Sequence, residues 1–518
     1  MDLPELRAQL AKYLDLTQLA VSSAVCKSWH DSFIPVLYST ISRNADHVNN
    51  LSNDTLRKYA DHVQILYING RLDMLPTNTF SRLQDIRVII NRDDPGLWEE
   101  LLTGVINQNQ GLTAVDIKGR VTISFGLMDS IASLPNLRRL KFSSCEFDRA
   151  SSERLLDACL QLEELSLFKT AVTHCDSSDR WEEFPEMLSV SLYITSGLEL
   201  LQQAAWIKIC PKLTQLSWRY NNHDTDDDDD ENGERVPVSE ICNTFSESCR
   251  LLERLDLSSW PDLSDSDFSR VMHSMAGSLT SISFHETKFG PKALTSCNRY
   301  FSMLTCFEAL RCRCFTSVMA QQVLTSCPHL RTFAAPYLLA RDILGISDES
   351  QSSEDDEEDK EEAGALSPTT VLAATTTSQP QEWACLNLRS FSVFICGLAG
   401  KHQEWQPRVL EQLAKLENLE YLSIGTDNNV GRFRWGSEGL ELGSAVRTNI
   451  LKSLKELDAI RFVGLRPDMF KGDVQLMLNA WPKLKCMIGN VNSEEATMDD
   501  LRKIFRARSI ECYTFEYL

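Results

Sequence analysis

The feature that most constrains this chain is a recurring L-x-x-L-x-L pattern, with other apolar residues allowed at the leucine positions. Plain copies are Leu137-Leu140-Phe142, Leu162-Leu165-Leu167, Leu252-Leu255-Leu257, Leu279-Ile282-Phe284, Leu419-Leu422-Ile424 and Leu454-Leu457-Ala459. Looser copies begin at Val63, Leu83, Leu112, Leu213, Leu304, Leu330, Leu388 and Leu484. First anchors at 112, 137 and 162, and again at 252, 279, 304 and 330, are spaced by 25 to 27 residues within each run. Leucine-rich repeats have a period of about 20–29 residues. Alternation at the last two anchors of each copy predicts a short strand. The stretches between copies, such as 151–159 and 265–275, carry helical spacing. Each unit is therefore a strand with a returning helix. No unit can bury its apolar face alone, so the units must stack. The expected fold class is α/β, a solenoid of about twelve to fourteen leucine-rich units.

The cysteines fit that reading. There are sixteen, and Cys159, Cys210, Cys249, Cys327 and Cys385 each lie three residues before a strand's first leucine. A repeated C-x-x-L marks a packing position at a helix end, because cysteine behaves as a small buried hydrophobe. Thiols scattered through a long chain without a leader-like N-terminus predict a reducing compartment, cytoplasmic, nuclear or both. No run reaches the length of about 18 apolar residues that a membrane span needs. The net charge of -21 is mostly local. Residues 224–234 contribute -8 and residues 348–362 contribute -9, leaving -21 + 17 = -4 for the rest. Composition predicts disordered acidic inserts at 222–236 and 346–382, which also account for the long gaps between anchors there. Residues 494–518 read as a cap, with Thr497 and Asp500 as a capping box.

Residues 1–41 differ from the repeats. Leu6, Leu10 and Leu14 recur at helical spacing, Asp15 offers an N-cap, and Leu19 and then Val25, Trp29 and Phe33 continue on two further helices. Such a segment is too small to bury much surface alone. The run Leu3-Pro4, Leu14, Leu19, Val25-Cys26-Lys27-Ser28-Trp29 and Leu37-Tyr38 resembles an F-box, with Tyr38 where the commoner residue is tryptophan. An F-box followed by leucine-rich repeats is a known architecture. The resemblance implies a substrate receptor of an SCF-type cullin–RING ubiquitin ligase: a three-helix F-box binding a Skp-type adaptor, and through it a cullin, with the repeats holding the target protein. It implies adaptor contacts from Leu3, Pro4, Leu14, Leu19, Val25, Cys26, Trp29 and Leu37. The plain alternative for those residues is the core of a helical cap. The expected organisation is an F-box at 1–41, a helical linker at 42–62, the solenoid at 63–493 and the cap at 494–518.

Strand residues between the leucines should face the concave surface, since side chains alternate. Candidates for target binding there are Arg139, Lys141, Glu164, Phe168, Arg219, Arg254, His285 and Tyr421, with Gln215, Asp256, Glu308, Phe394, Glu456 and Asp458 on the same expectation. Arg219, between Trp218 and Tyr220, stands out. The plain reading is a solvated inner face. The Arg/aromatic stretch 431–436 reads as a turn between repeats. Cys306, Cys312 and Cys314 lack the spacing of a zinc site, so no metal is expected. Phosphate-binding loops, dinucleotide fingerprints and nucleophile elbows are absent. The expectation is a non-catalytic chain with no cofactor, binding neither nucleic acid nor membrane. A ligase-independent scaffold is the alternative.

Overall fold

The computed structural model describes residues 4–44, 52–70, 80–90, 97–173, 183–220, 238–260, 262–275, 278–346, 382–398, 400–425, 440, 450–462, 469–489, 491–492 and 494–513. Both acidic tracts, residue 3 and the stretch 431–436 lie outside them. The chain forms two compact units, residues 1–260 with 273–277, and residues 261–272 with 278–518.

The first unit opens with three short helices, α1 (Pro4–Ala11), α2 (Leu16–Ser23) and α3 (Lys27–Leu37). Nine parallel strands follow: β1 (Thr40–Asn44), β2 (Ile65–Asn69), β3 (Asp85–Ile89), β4 (Ala114–Ile123), β5 (Arg139–Phe147), β6 (Glu164–Val172), β7 (Ser189–Ser196), β8 (Gln215–Arg219) and β9 (Arg254–Asp256). Each pairs with the next in sequence order. Parallel neighbours need a crossover connection, and helices such as Arg149–Cys159 supply it, burying Leu155, Leu156 and Cys159. The strands alternate. Leu140 and Phe142 of β5, and Leu165 and Leu167 of β6, are buried, while the residues between them face the open side. Ser144, Lys169 and Ser259 all take a left-handed backbone, with φ of 60°, 49° and 60°. Each lies two residues past the second strand anchor of its copy, so these three repeats leave the sheet by the same step.

The second unit repeats the scheme with β10 (Ser281–Ser283), β11 (Cys306–Glu308), β12 (Thr332–Leu339), β13 (Ser390–Cys396), β14 (Tyr421–Ile424), β15 (Ala459–Arg461), β16 (Cys486–Ile488) and β17 (Glu511–Tyr513), again parallel and in order. Its core is aromatic. Phe307, Phe333 and Phe391 share one register row. Their rings stack at 6.2 and 6.0 Å.

The C-x-x-L cysteines are buried to 1% exposure or less. Loss of hydration pushes the thiols of Cys210, Cys249, Cys327 and Cys385 up to about 12 and raises that of Cys159 as well. These five are inert packing groups at neutral pH, since the thiolate is the nucleophile. Iodoacetamide is expected to label Cys26 and Cys314, both exposed, in the native protein, and to reach the five only in denaturant. Native-state labelling of the five, read by peptide mass spectrometry, would contradict this packing.

Four local expectations need correction. The sheet starts at β1, inside the stretch expected to be module and linker, because Ile41 buries its side chain and pairs with Leu66. The expected linker does contain a helix, Asn53–Lys58, capped by Ser52. The copy read as Leu454-Leu457-Ala459 slips by three: Leu457, Ile460 and Phe462 are the buried anchors of β15. Glu456 and Asp458 therefore precede the strand, each paired with a lysine, Lys483 and Lys485. Phe394 is 3% exposed, not on the open face, because β13 loses its alternation there and buries Val393, Phe394, Ile395 and Cys396 in succession. The last helix runs Glu495–Ala507 from an N-cap at Glu494, so Thr497 lies inside it and donates to Glu494 at 2.8 Å.

Candidate functional site

Two surfaces carry the residues singled out by sequence. The first is the helical module. Asp15 caps α2, accepting from the Gln18 N–H at 2.8 Å while the Gln18 side chain accepts from the Asp15 N–H at 3.1 Å. Two orphan donors at the helix start are thereby satisfied. The interior is small: Ala11, Leu19 and Phe33 are buried, with Leu14, Trp29, Val36 and Leu37 packed partly against them. Trp29 meets Phe33 edge-on at 5.3 Å. Leu14, Leu19, Trp29 and Leu37 thus hold the module together. Pro4, Val25 and Cys26 are exposed, and Leu3 lies outside the described residues.

The module also exposes apolar side chains, among them two of the stripe read from helical spacing. Leu6 and Leu10, one turn apart on α1, are 61% and 42% exposed, and Tyr13 is 83% exposed. Leu16, Val21 and Val25 add three more, each above 60%. A signal was available: the stripe Leu6-Leu10 competes with Ala11 for the inward face, and three short helices have room for few large side chains.

The second surface is the open face of the sheets. In the first unit its residues fall into rows set by register. One row reads Arg139, Glu164, Ser189, Gln215, Arg254. The next reads Lys141, Ser166, Ser191, Ser217, Asp256. A third holds Ser143, Phe168, Tyr193 and Arg219. Lys141 pairs with Glu164 at 2.6 Å, and Arg139 lies 3.6 Å from the buried Asp85. Phe168, 37% exposed, meets Tyr193 edge-on at 5.3 Å. Arg219 grips one oxygen of Asp256 through Nη2 at 2.8 Å and Nε at 3.2 Å. Burial of Asp256 opposes its charge, but Ser258, Arg219 and Ser217 together outweigh that and hold its carboxyl below the usual carboxylate range. Arg254 is exposed.

The candidates in the second unit are set differently. His285 Nδ1 accepts from the Leu310 N–H at 3.2 Å, and its Nε2 is 3.4 Å from Glu308. That ties one repeat to the next. Tyr421 is half-buried between Ser390 and Ala459. Register therefore unites Arg139, Lys141, Glu164, Phe168, Arg219 and Arg254 on β5–β9, and His285 and Tyr421 belong to another unit. Among the described residues no cluster of His, Cys, Asp and Glu could hold a metal, and no helix is long and apolar enough to cross a membrane.

No family model and no curated protein matches the chain. Solved structures do resemble it. An internalin from Listeria monocytogenes is 10% identical, over 79% of this chain and 82% of its own, with a TM-score of 0.33. A leucine-rich-repeat protein from Leptospira interrogans is 13% identical over 92% and 96%, with a TM-score of 0.31. A chain in the complex of Rad7 and Elc1 in yeast is 13% identical over 94% and 93%, with a TM-score of 0.40. What makes this chain an α/β leucine-rich-repeat solenoid is its own succession of parallel strands, returning helices and repeat spacing.

Proposed function

We propose that this chain is the substrate-recognition subunit of an SCF-type E3 ubiquitin ligase, with residues 1–41 bound to a Skp-type adaptor and, through it, to a cullin. Its setting is the cytoplasm, the nucleus or both. The observation that carries the reading is the unpartnered apolar surface of Leu6, Leu10, Tyr13, Leu16, Val21 and Val25 on a module with so small an interior. Fully burying one such side chain is worth about 1.5–3 kcal/mol, so six exposed on α1, α2 and the turns that follow them mark a docking face. Their place in a stretch that resembles an F-box supports an adaptor as the partner. The repeats offer a polar, charge-paired open face suited to a protein target. The chain itself performs no chemistry in this reading. It brings target and ligase together, turning a bimolecular encounter into a nearly unimolecular one.

The test is affinity capture of the full chain and of a version lacking residues 1–41, with bound proteins identified by mass spectrometry. Adaptor and cullin are expected with the full chain only. Their absence from the full-chain capture would sink the reading in favour of a ligase-independent scaffold.

A further inference from the structure

We infer that the open face of β5–β9 binds an extended, acidic segment of a partner protein, laid along a row of serines with an aromatic pair and Arg219 on one border and Arg254 at the end of the other. In the receptor reading above, on which this rests, that segment belongs to the ubiquitylation target.

Register places Ser166, Ser191 and Ser217 side by side on β6, β7 and β8. Neighbouring strands lie about 4.8 Å apart, so the row of three serines is about 10 Å long, and the rows that border it, two residues away along the strands on either side, stand about 13 Å apart, room for a short extended segment. Small side chains let a main chain come close, and each hydroxyl can donate and accept. Ser217 already donates to Asp256 at 2.9 Å, which fixes that end of the floor.

The two borders differ. On one side stand Phe168, Tyr193 and Arg219, and on the other Glu164, Ser189 and Gln215. Phe168 is a large apolar side chain left 37% exposed on a polar face. Its ring is backed by Tyr193, and the Lys169 ammonium lies 5.8 Å from its centroid. A rigid aromatic with few rotatable bonds is the kind of group that anchors interfaces.

Charge selects the occupant. Arg139, Lys141, Arg219 and Arg254 stand against Glu164 and Asp256 on these strands, and Asp85 of β3 takes up Arg139, which leaves Arg254 in surplus. Both acids are already engaged, Glu164 by Lys141 and Asp256 by Arg219 and two serines. Arg254 is exposed on the outermost strand of the five. An acidic side chain docked near Arg254 and Arg219 meets complementary potential, whereas a basic one meets only repulsion.

Short random peptides displayed on phage and panned against the full chain provide the probe. Enriched sequences are expected to carry an excess of Asp or Glu beside an aromatic residue or proline. A fluorescent synthetic copy should lose at least about tenfold in affinity with Phe168→Ala and with Arg254→Glu, and should weaken in high salt. Both side chains are exposed, so both variants should keep the parent's melting temperature. No enrichment, enrichment without acidic residues, binding untouched by both variants, or tighter binding of a single-stranded oligonucleotide through the same residues would each overturn the inference. Neither variant alters residues 1–41. Failure here with adaptor capture intact removes this site alone, while loss of adaptor capture by the unaltered chain removes the receptor reading.

Discussion

Replacing Trp218 with alanine is expected to open the repeats around β7–β9 and to leave β2–β4 folded. Trp218 is fully buried. Its ring meets Trp260 edge-on at 5.1 Å and Phe245 at 6.3 Å. Its indole N–H donates to the Gln203 side-chain oxygen at 2.9 Å, and Gln203 is itself buried. Its carbonyl accepts from the Trp260 indole at 2.6 Å. One side chain thus ties three consecutive repeats together. Truncating a buried tryptophan costs about 3–5 kcal/mol, and stranding the Gln203 oxygen adds about 1–3 kcal/mol. A whole domain is stable by about 5–15 kcal/mol. Because repeats feel mainly their neighbours, the loss should stay local. Amide hydrogen exchange on β7–β9 should quicken by about a thousandfold or more, at roughly tenfold per 1.4 kcal/mol, with β2–β4 unchanged. Trp218→Phe keeps an aromatic ring and strands only the hydrogen bond, so it should show the smaller loss of about 1–3 kcal/mol. Unchanged protection on β7–β9 in the alanine variant would show that these repeats are not held through the indole.

The repeat pattern was readable because burial enforces it. Each strand anchor, such as Leu140 or Phe307, is sealed from water, and no polar residue is tolerated there. Where the pattern is thin, reading slipped. β7 falls between the copies that begin at Leu162 and Leu213, and its anchors are Met187, Val190 and Leu192, all buried, while Leu188 is 40% exposed. At β15 an extra buried leucine, Leu454, stood three residues ahead of the true anchor and captured the register. The open face was legible only as alternation. Sequence could not show that Arg219 is held by Asp256, because 37 residues separate them and only the pairing of β8 with β9 brings them together. Nor could it sort the residues of the first helices into inward and outward. Motif matching treats Leu19 and Val25 alike, yet Leu19 is 3% exposed and Val25 63%.

That division sets the second large effect, because inward and outward residues of the module should fail in different ways. Leu19→Ala truncates a buried member of the module's core cluster with Ala11 and Phe33. A buried leucine-to-alanine change costs about 2–5 kcal/mol, more than three short helices with so small an interior can absorb. The module should lose its helical circular dichroism and with it any adaptor binding. Leu10→Glu and Val25→Glu, by contrast, alter exposed positions and should leave helix content and melting temperature unchanged, since surface substitutions usually stay within about 0.5 kcal/mol. Each should still weaken adaptor binding. Losing the burial of one apolar side chain costs about 2 kcal/mol, a factor of roughly thirty, and a carboxylate forced into a dry interface adds to it. Titration of purified adaptor against full-length variants separates the cases. Unchanged affinity in Val25→Glu, with Leu19→Ala still folded, would mean that this exposed apolar surface meets something other than the adaptor. The two classes of residue differ in one physical respect, whether water already reaches them. An interface can draw its binding energy only from the side chains that water still reaches.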